Sequence, residues 1–200
     1  MKLVNILVTD EVALDLNLSK MTKDIASREE LRRWYEENHA AAREFWLPVN
    51  RGKEQLEGVV DYLDAVEEAL CFGWIDSTVK YLDGRALQRF TPRRKGGFWT
   101  QLNRERVRRL ESRGLMTEAG RDAMPPDTFK MDKRVKAAFK KNPEAWEFFQ
   151  STHPLYQRVR LDSVQRHEEL FENRLEHLIE QCAKGKMFGQ WTDGGRLLDF

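Results

Sequence analysis

The alternation of apolar and polar residues predicts one β-hairpin near the middle of a chain that is otherwise rich in helix. Residues 75–82 alternate with the period of two that is typical of a half-buried strand. Asp83 and Gly84 follow as a tight-turn signal, and residues 87–91 form the returning strand. This hairpin is the centre of the predicted fold.

Two helices are predicted before the hairpin. Ser27 and Glu30 have the spacing of a capping box, which begins a helix that extends to about Ala42. Apolar residues at helical spacing predict a second helix over residues 61–72, and Gly73 follows it at the position that commonly ends a helix.

Between these helices, residues 45–49 predict a short strand, and Pro48 favours an edge position because proline cannot donate a ladder hydrogen bond. After the hairpin, Thr100 predicts the cap of a helix that stops at Gly114, and Thr117 predicts the cap of a short helix. Further helices are predicted over residues 132–141, 144–150, 155–166 and 168–183.

These elements predict an α+β fold that is mostly helical. It has a small antiparallel sheet built on the central hairpin, together with a C-terminal helical bundle. We expect an N-terminal extension at residues 1–24 with a short strand at 3–8, an α+β core domain at 25–126, a C-terminal helical region at 127–187, and a loose, glycine-rich tail at 188–200.

Composition narrows the function classes. The 200 residues are 34% charged, yet the formal net charge is only +1, so binding to nucleic acid would need a local basic patch. No window reaches the ~20 apolar residues of a membrane span, and the N-terminus lacks the pattern of a signal peptide. We therefore expect a cytoplasmic protein, with Cys71 and Cys182 reduced and buried. Dispersed histidines and cysteines predict neither a metal site nor a cofactor.

The charge pattern changes sharply around Asp76. Residues 54–76 contain seven carboxylates and neither Lys nor Arg, whereas residues 77–113 contain eleven Lys or Arg and three carboxylates. The basic residues could neutralise the preceding acidic helix and Asp76, the commoner outcome for such a run. Alternatively, some of them could form an anion-binding face.

The candidate ligand site combines such an anion-binding face with aromatic residues. Arginines of the hairpin and the following loop would bind a phosphate or carboxylate, and backbone amides at the helix start would add donors. For Asp76 we favour a pair with Arg89 or Arg93 over a general base, and for Trp74 a core position over a ligand platform. Asn103 is expected to complete the helix start. The candidate residues are Trp74, Asp76, Arg89, Arg93, Arg94, Trp99, Thr100 and Asn103.

Four segments carry distinctive residues in a fixed order: AVEEALCFGWID at 65–76, RFTPR at 89–93, FWTQLN at 98–103 and GLMTEAG at 114–120. Their order and spacing resemble the YdeI/OmpD-associated family, whose members are often labelled bacteriocin-protection proteins. The resemblance covers about residues 27–186. It implies a small, mostly helical α+β cytoplasmic protein linked to tolerance of bacteriocins or cationic peptides, and it supplies no catalytic residues.

Two departures from the family pattern weaken what can be carried over. Members commonly have Lys-x-x-Glu-Thr-Arg-x-x-Arg-Ile before the last helix, and only Arg174 of that basic cluster clearly corresponds here. Members also tend to have serine at the positions of Gly97 and Thr100, where only Thr100 keeps a capping hydroxyl.

Three function classes follow. The leading one is a non-catalytic binding protein involved in stress tolerance, and the ligand would carry phosphate or carboxylate. The second is a module that binds nucleic acid or a phosphometabolite through the basic hairpin; nucleic acid is not favoured as the partner. The third is a small enzyme that depends on Asp76 and the tryptophans, which leaves the assignment as an enzyme open. The oligomeric state does not follow from the sequence.

Overall fold

The computed structural model describes residues 22–54, 56–82 and 84–198. In chain order the elements are α1 (Arg28–Asn38), β1 (Phe45–Asn50), β2 (Val60–Asp61), α2 (Tyr62–Cys71), β3 (Trp74–Leu82), β4 (Arg85–Pro92), α3 (Gln101–Ser112), α4 (Glu118–Asp122), α5 (Lys133–Lys140), α6 (Pro143–Ser151), α7 (Pro154–Gln165), a 3-10 turn (Glu168–Leu170) and α8 (Phe171–Ala183). The predicted strand at 3–8 and Asp83 of the hairpin turn lie outside the described residues.

The chain divides into two compact units. Within the described residues, unit 1 comprises 22–97 and 113–124, and unit 2 comprises 98–112 and 125–198. This division differs from the predicted boundary near residue 126, because α3 groups with the C-terminal helices instead of with the hairpin. Helices with one small sheet confirm the predicted α+β class.

The sheet of unit 1 has the strand order β2-β1-β4-β3. The predicted hairpin is confirmed, since β3 and β4 pair antiparallel from Trp74–Pro92 to Leu82–Arg85, and β1 pairs antiparallel with β4. The sheet is nevertheless mixed, because β2 runs parallel to β1. The edge position predicted for β1 is wrong. Proline is tolerated there because β2 pairs only with Val49 and Asn50, after Pro48.

The start of α1 follows the capping prediction closely. The Ser27 hydroxyl accepts a hydrogen bond from the amide of Glu30 at 3.2 Å. The Glu30 carboxylate accepts from the amide of Ala26 at 2.9 Å, one residue earlier than in the usual capping box. The helix ends at Asn38, four residues before the predicted end.

Aromatic side chains fill the core between α1 and the sheet. The ring of Trp74 lies 5.8 Å from Trp34, 5.5 Å from Tyr35 and 5.8 Å from Phe45, measured between ring centroids. Edge-on and tilted pairs at these separations add to the stabilisation that burial provides. Trp34 and Tyr35 therefore join α1 to β3 through Trp74.

Two glycines allow α2 and α4 to approach closely. Gly73 has a φ of +74° after the last turn of α2, as predicted from its position. A Cβ atom there would lie 2.8 Å from the carbonyl oxygen of Ala119, and one at Gly120 would lie 2.3 Å from that of Cys71. A side chain at either position would separate the two helices.

The regular elements of unit 2 within its described part are all helices, as the C-terminal pattern predicted. Its core is formed by aromatic and aliphatic side chains of α5, α6, α7 and α8, among them Val135, Phe139, Phe149, Tyr156, Phe171 and Leu178. The end of the chain differs from the predicted loose tail, because Asp193 and Leu197 are buried. No helix among the described residues is long and apolar enough to cross a membrane.

Candidate functional site

Trp74 is a core residue. Only 1% of its surface is exposed, and its indole N–H donates to the carbonyl oxygen of His39 at 3.2 Å. A ring that is enclosed in this way cannot stack on a ligand, so Trp74 leaves the set of candidate binding residues. The core position favoured for it from the sequence is confirmed.

Asp76 lies on β3 and receives a hydrogen bond from the hydroxyl of Tyr62 at 2.7 Å. Arg89, one of its two predicted partners, instead forms an ion pair with Glu44. Asp76 does exert an electrostatic attraction on Arg93. Burial lowers the pKa of Arg93 to about 10, and the attraction of Asp76 acts in the opposite direction. Of the two predicted partners, Arg93 therefore interacts with Asp76 electrostatically, whereas Arg89 pairs with Glu44.

The acidic residues of α2 are neutralised from α1. The guanidinium group of Arg28 contacts carboxylate oxygens of Asp64, Glu67 and Glu68 at 2.9, 2.8 and 2.7 Å. Arg32 adds a contact to Glu68 at 3.1 Å. Burial by itself would lower the pKa of Arg28, but Glu68 and Glu67 more than offset this and raise it. At these three carboxylates neutralising charge comes from α1, whereas the sequence suggested the basic residues that follow Asp76.

We use the name basic turn for residues 92–97, which follow β4. The amide of Arg93 donates to the carbonyl oxygen of Gly73, and that of Gly97 donates to the carbonyl oxygen of Arg94, both at 2.9 Å. Arg94 and Lys95 are exposed. Within the described part of the chain, neither of these two side chains forms an ion pair or a hydrogen bond. The turn therefore presents cationic groups on a fixed backbone.

The other three candidate residues belong to unit 2. Trp99 is buried, with 4% of its surface exposed. Thr100 caps α3 as predicted, since its hydroxyl accepts from the amide of Asn103 at 3.0 Å. The side-chain oxygen of Asn103 accepts from Arg106 at 2.7 Å. Trp99 and Asn103 thus have structural roles within unit 2, whereas Arg89, Arg93 and Arg94 belong to unit 1.

Comparison with known families divides the chain after α4, so that α3 falls with the hairpin and not with the C-terminal helices as in the two compact units. Residues 23–123 match the model of a domain of unknown function, DUF8412. Residues 128–185 match the model of the family described as Bacteriocin-protection, YdeI or OmpD-Associated. The chain belongs to the DUF8412 family, and its residues 128–185 are similar to the YdeI/OmpD-associated family. Neither the curated proteins nor the solved structures contain a match to it.

The two matched regions can be compared with the segments on which the resemblance in the sequence was based. The four quoted segments, from residue 65 to residue 120, all lie in the DUF8412 region. The YdeI/OmpD-associated domain instead covers α5 to α8. The suspected relation to that family is confirmed.

The sequence did not reveal the buried charges of α3. Arg106 donates to both carboxylate oxygens of Asp193, at 2.6 and 2.9 Å, and both side chains are almost fully enclosed. Arg104 donates to the carbonyl oxygens of Pro125 and Pro126. No sequence signal connects α3 with Asp193, because 87 residues separate the partners and the tail has no periodicity.

The two thiols lack the environment of a nucleophile. Burial, followed by the charge of Glu68, raises the pKa of Cys71 to about 12, and burial raises that of Cys182 to about 11. Both cysteines are free and buried, as predicted. Among the described residues, no group of three or more histidine, cysteine, aspartate and glutamate side chains is placed to hold a metal ion.

Proposed function

We propose that this protein is a non-catalytic, cytoplasmic binding protein that contributes to tolerance of bacteriocins or cationic peptides. Its ligand would be a small anion that carries phosphate or carboxylate, and the basic turn of unit 1 would bind it. The family description of residues 128–185 supports the link to bacteriocin protection. The charge distribution of unit 1 supports the choice of an anionic ligand.

The main observation behind this proposal is the unequal use of positive charge in unit 1. The acids of α2 are matched by Arg28 and Arg32, and Glu44 is matched by Arg89. Arg94 and Lys95 remain exposed and form no ion pair with any described residue. Since the acidic helix does not use these two cations, they are available to a ligand.

The chemistry of the turn suits a compact oxyanion. Arginine offers a planar fork of donors that matches phosphate and carboxylate oxygens, and lysine adds a mobile point charge. Arg93 lies beside them, partly enclosed, with Asp76 limiting its net attraction for a ligand. Exposed contacts of this kind are individually weak, so we expect a dissociation constant in about the millimolar range for a simple ion.

Nucleic acid is the alternative ligand. The hairpin carries two further cations, Lys80 and Arg85, and neither forms an ion pair among the described residues. Even so, Lys80 and Arg85 lie near the closed end of the hairpin, whereas the basic turn follows the other end of β4. Each group alone would give a shallow salt dependence, because the slope grows with each phosphate that is neutralised. A small ligand therefore fits the turn better.

The test compares sulfate and phosphate with chloride at matched ionic strength, with the melting temperature as the readout. The double variant Arg94→Gln/Lys95→Gln should lose the extra stabilisation that the oxyanions give to the wild type. The matched control is Arg33→Gln/Lys53→Gln, which removes two exposed cations of unit 1 elsewhere. The control is needed because sulfate stabilises many proteins by exclusion from their surface.

An equal benefit of the oxyanions in the wild type and in Arg94→Gln/Lys95→Gln would contradict anion binding at the turn. Binding to duplex DNA with a steep salt slope would favour the nucleic-acid alternative. The role in tolerance has a separate test, in which a strain that lacks the protein is challenged with a cationic peptide. Complementation by the wild type, but not by the double variant, is the expected result.

A further inference from the structure

A second cationic site lies in unit 2, on the face that α7 and α8 share. A hollow of about 200 Å³ opens there. Its basic groups are Arg160 from α7 and Arg174 and His177 from α8. Its apolar wall consists of Val164, Leu178 and Phe188.

Among the residues that the structure describes, no carboxylate lines this hollow. Arg160 and Arg174 also form no ion pair with any residue that the structure describes. Burial lowers the pKa of Arg160; attraction by Tyr156 opposes this effect, while repulsion by Arg166 adds to it. A desolvated guanidinium without a carboxylate is costly to keep charged, and an anion in the hollow would offset that cost.

The charges of α8 are sorted between two of its faces. Glu172, Glu176 and Glu180 line a separate hollow together with α5 and the start of α6. Arg174 and His177 line the hollow shared with α7. The helix thus keeps its acids away from Arg160 instead of using them to neutralise it.

Neighbouring groups hold the cationic side chains in place. Arg174 donates to the carbonyl oxygen of Ser163 at 2.7 Å, and Arg160 donates to that of Gln190 at 3.2 Å. Gly189, with a φ of +71°, packs against the Arg160 guanidinium, because a Cβ atom there would lie 2.5 Å from Nη1. The Arg160 guanidinium also lies 5.0 Å from the centroid of the Phe188 ring. Groups that are fixed in advance lose little freedom when a ligand binds.

We propose that this hollow binds a small organic carboxylate, with the acid group toward Arg160, Arg174 and His177 and a short apolar body against Val164, Leu178 and Phe188. The volume decides the size class, because pockets for drug-sized ligands usually occupy about 300–1,000 Å³. The apolar wall favours a carboxylate with a hydrocarbon body over inorganic phosphate, whose oxygens would all need polar partners. This site is independent of the basic turn in unit 1.

Butyrate is the probe, titrated into the full chain at constant ionic strength and pH. Binding is followed by the NMR signals of the His177 ring, which are assigned with His177→Gln. We expect a saturable change with a dissociation constant of roughly 1–10 mM. The neutral amide of the same size, butyramide, should produce at least about a tenfold weaker response, since a charge-assisted contact is lost.

Arg174→Gln and Arg160→Gln should each weaken butyrate binding by about tenfold or more. Lys136→Gln, which removes an exposed cation of α5, is the matched control and should bind like the wild type. If Arg160→Gln does not fold, the test uses Arg174→Gln and Val164→Phe. The larger side chain of Val164→Phe would fill the hollow and should weaken butyrate binding. The proposal is overturned by a linear, unsaturated response, by equal binding of butyramide, by tighter binding of inorganic phosphate, or by unchanged affinity in Arg174→Gln.

Discussion

The two units bury charged side chains in different ways. In unit 1 the enclosed acids Glu67 and Glu68 are held by Arg28, whose side chain is 26% exposed at the rim of the network. In unit 2 both partners of the central pair are enclosed, with Arg106 at 10% and Asp193 at 5% exposure. If one partner is removed by mutation, water can therefore solvate the remaining charge in unit 1 but much less so in unit 2.

This difference shows that two units of one charge-rich chain can differ in the free energy lost when an ion pair is broken. A buried pair is not strong evidence for stability, because desolvation offsets much of the attraction between the charges. Removing one partner from an enclosed pair is nevertheless expensive, since the other charge stays buried. The comparison predicts a larger penalty in unit 2 than in unit 1, and almost none at the basic turn.

The largest effect is expected for Asp193→Asn. Asparagine preserves the shape and tolerates the positive φ of 50° at this position, so the lost charge is the main change. The free energy of unfolding should fall by about 3–5 kcal/mol, because the buried guanidinium of Arg106 would lose the opposite charge of the Asp193 carboxylate, to which it donates two hydrogen bonds. Chemical denaturation followed by circular dichroism measures this change.

The matched control is Asp132→Asn, which makes the same change in an ion pair that is more exposed on unit 2. It should cost no more than about 1 kcal/mol. The double variant Asp193→Asn/Arg106→Met should recover much of the loss, since both charges of the buried pair would then be removed. A small penalty for Asp193→Asn alone would remove the contrast between the units.

A smaller effect is expected for Arg28→Met in unit 1. Arg32 keeps its contact with Glu68, and solvent reaches the rim, so the loss should be about 2 kcal/mol. Denaturation of this variant should be compared with Arg33→Met, an exposed position on the same helix that should change stability by less than about 0.5 kcal/mol. A loss as large as that of Asp193→Asn would show that the rim gives no solvent screening.

The smallest effect is expected at the basic turn. Arg94→Gln/Lys95→Gln should change the free energy of unfolding by less than about 0.5 kcal/mol in chloride, because neither side chain has a partner to lose among the described residues. Arg89→Gln, which breaks the pair with Glu44, should cost up to about 1 kcal/mol. A clear destabilisation by the double variant would mean that the turn's cations serve the fold and not a ligand.

Local features of the fold could be predicted well from the sequence. Ser27, Thr100 and Thr117 were identified as caps because capping depends on residues within one turn. The hairpin and the end of α2 at Gly73 follow from equally short patterns. Trp74 was recognised as a core residue because its place in an alternating strand, just after a helix end, is a local signal.

Charge partners could not be predicted in this way. The acidic run in α2 and the basic run after Asp76 are adjacent in sequence and suggested mutual neutralisation, yet α2 pairs with Arg28, 40 residues earlier than Glu68. Asp193 lies in a segment without periodicity and pairs with Arg106. Any arginine can neutralise any carboxylate, so the pairing depends on which helices pack together and not on the run of charges.

By itself, the sequence determined the helices, the hairpin and the α+β class, because each depends on short spacing along the chain. Tertiary structure alone decided which cations are used within the fold and which remain available. It left Arg94 and Lys95 exposed on a fixed turn, and it placed Arg160, Arg174 and His177 around one hollow. The physical reason is that electrostatic interactions act between neighbours in space, and a chain sequence gives only its neighbours along the backbone.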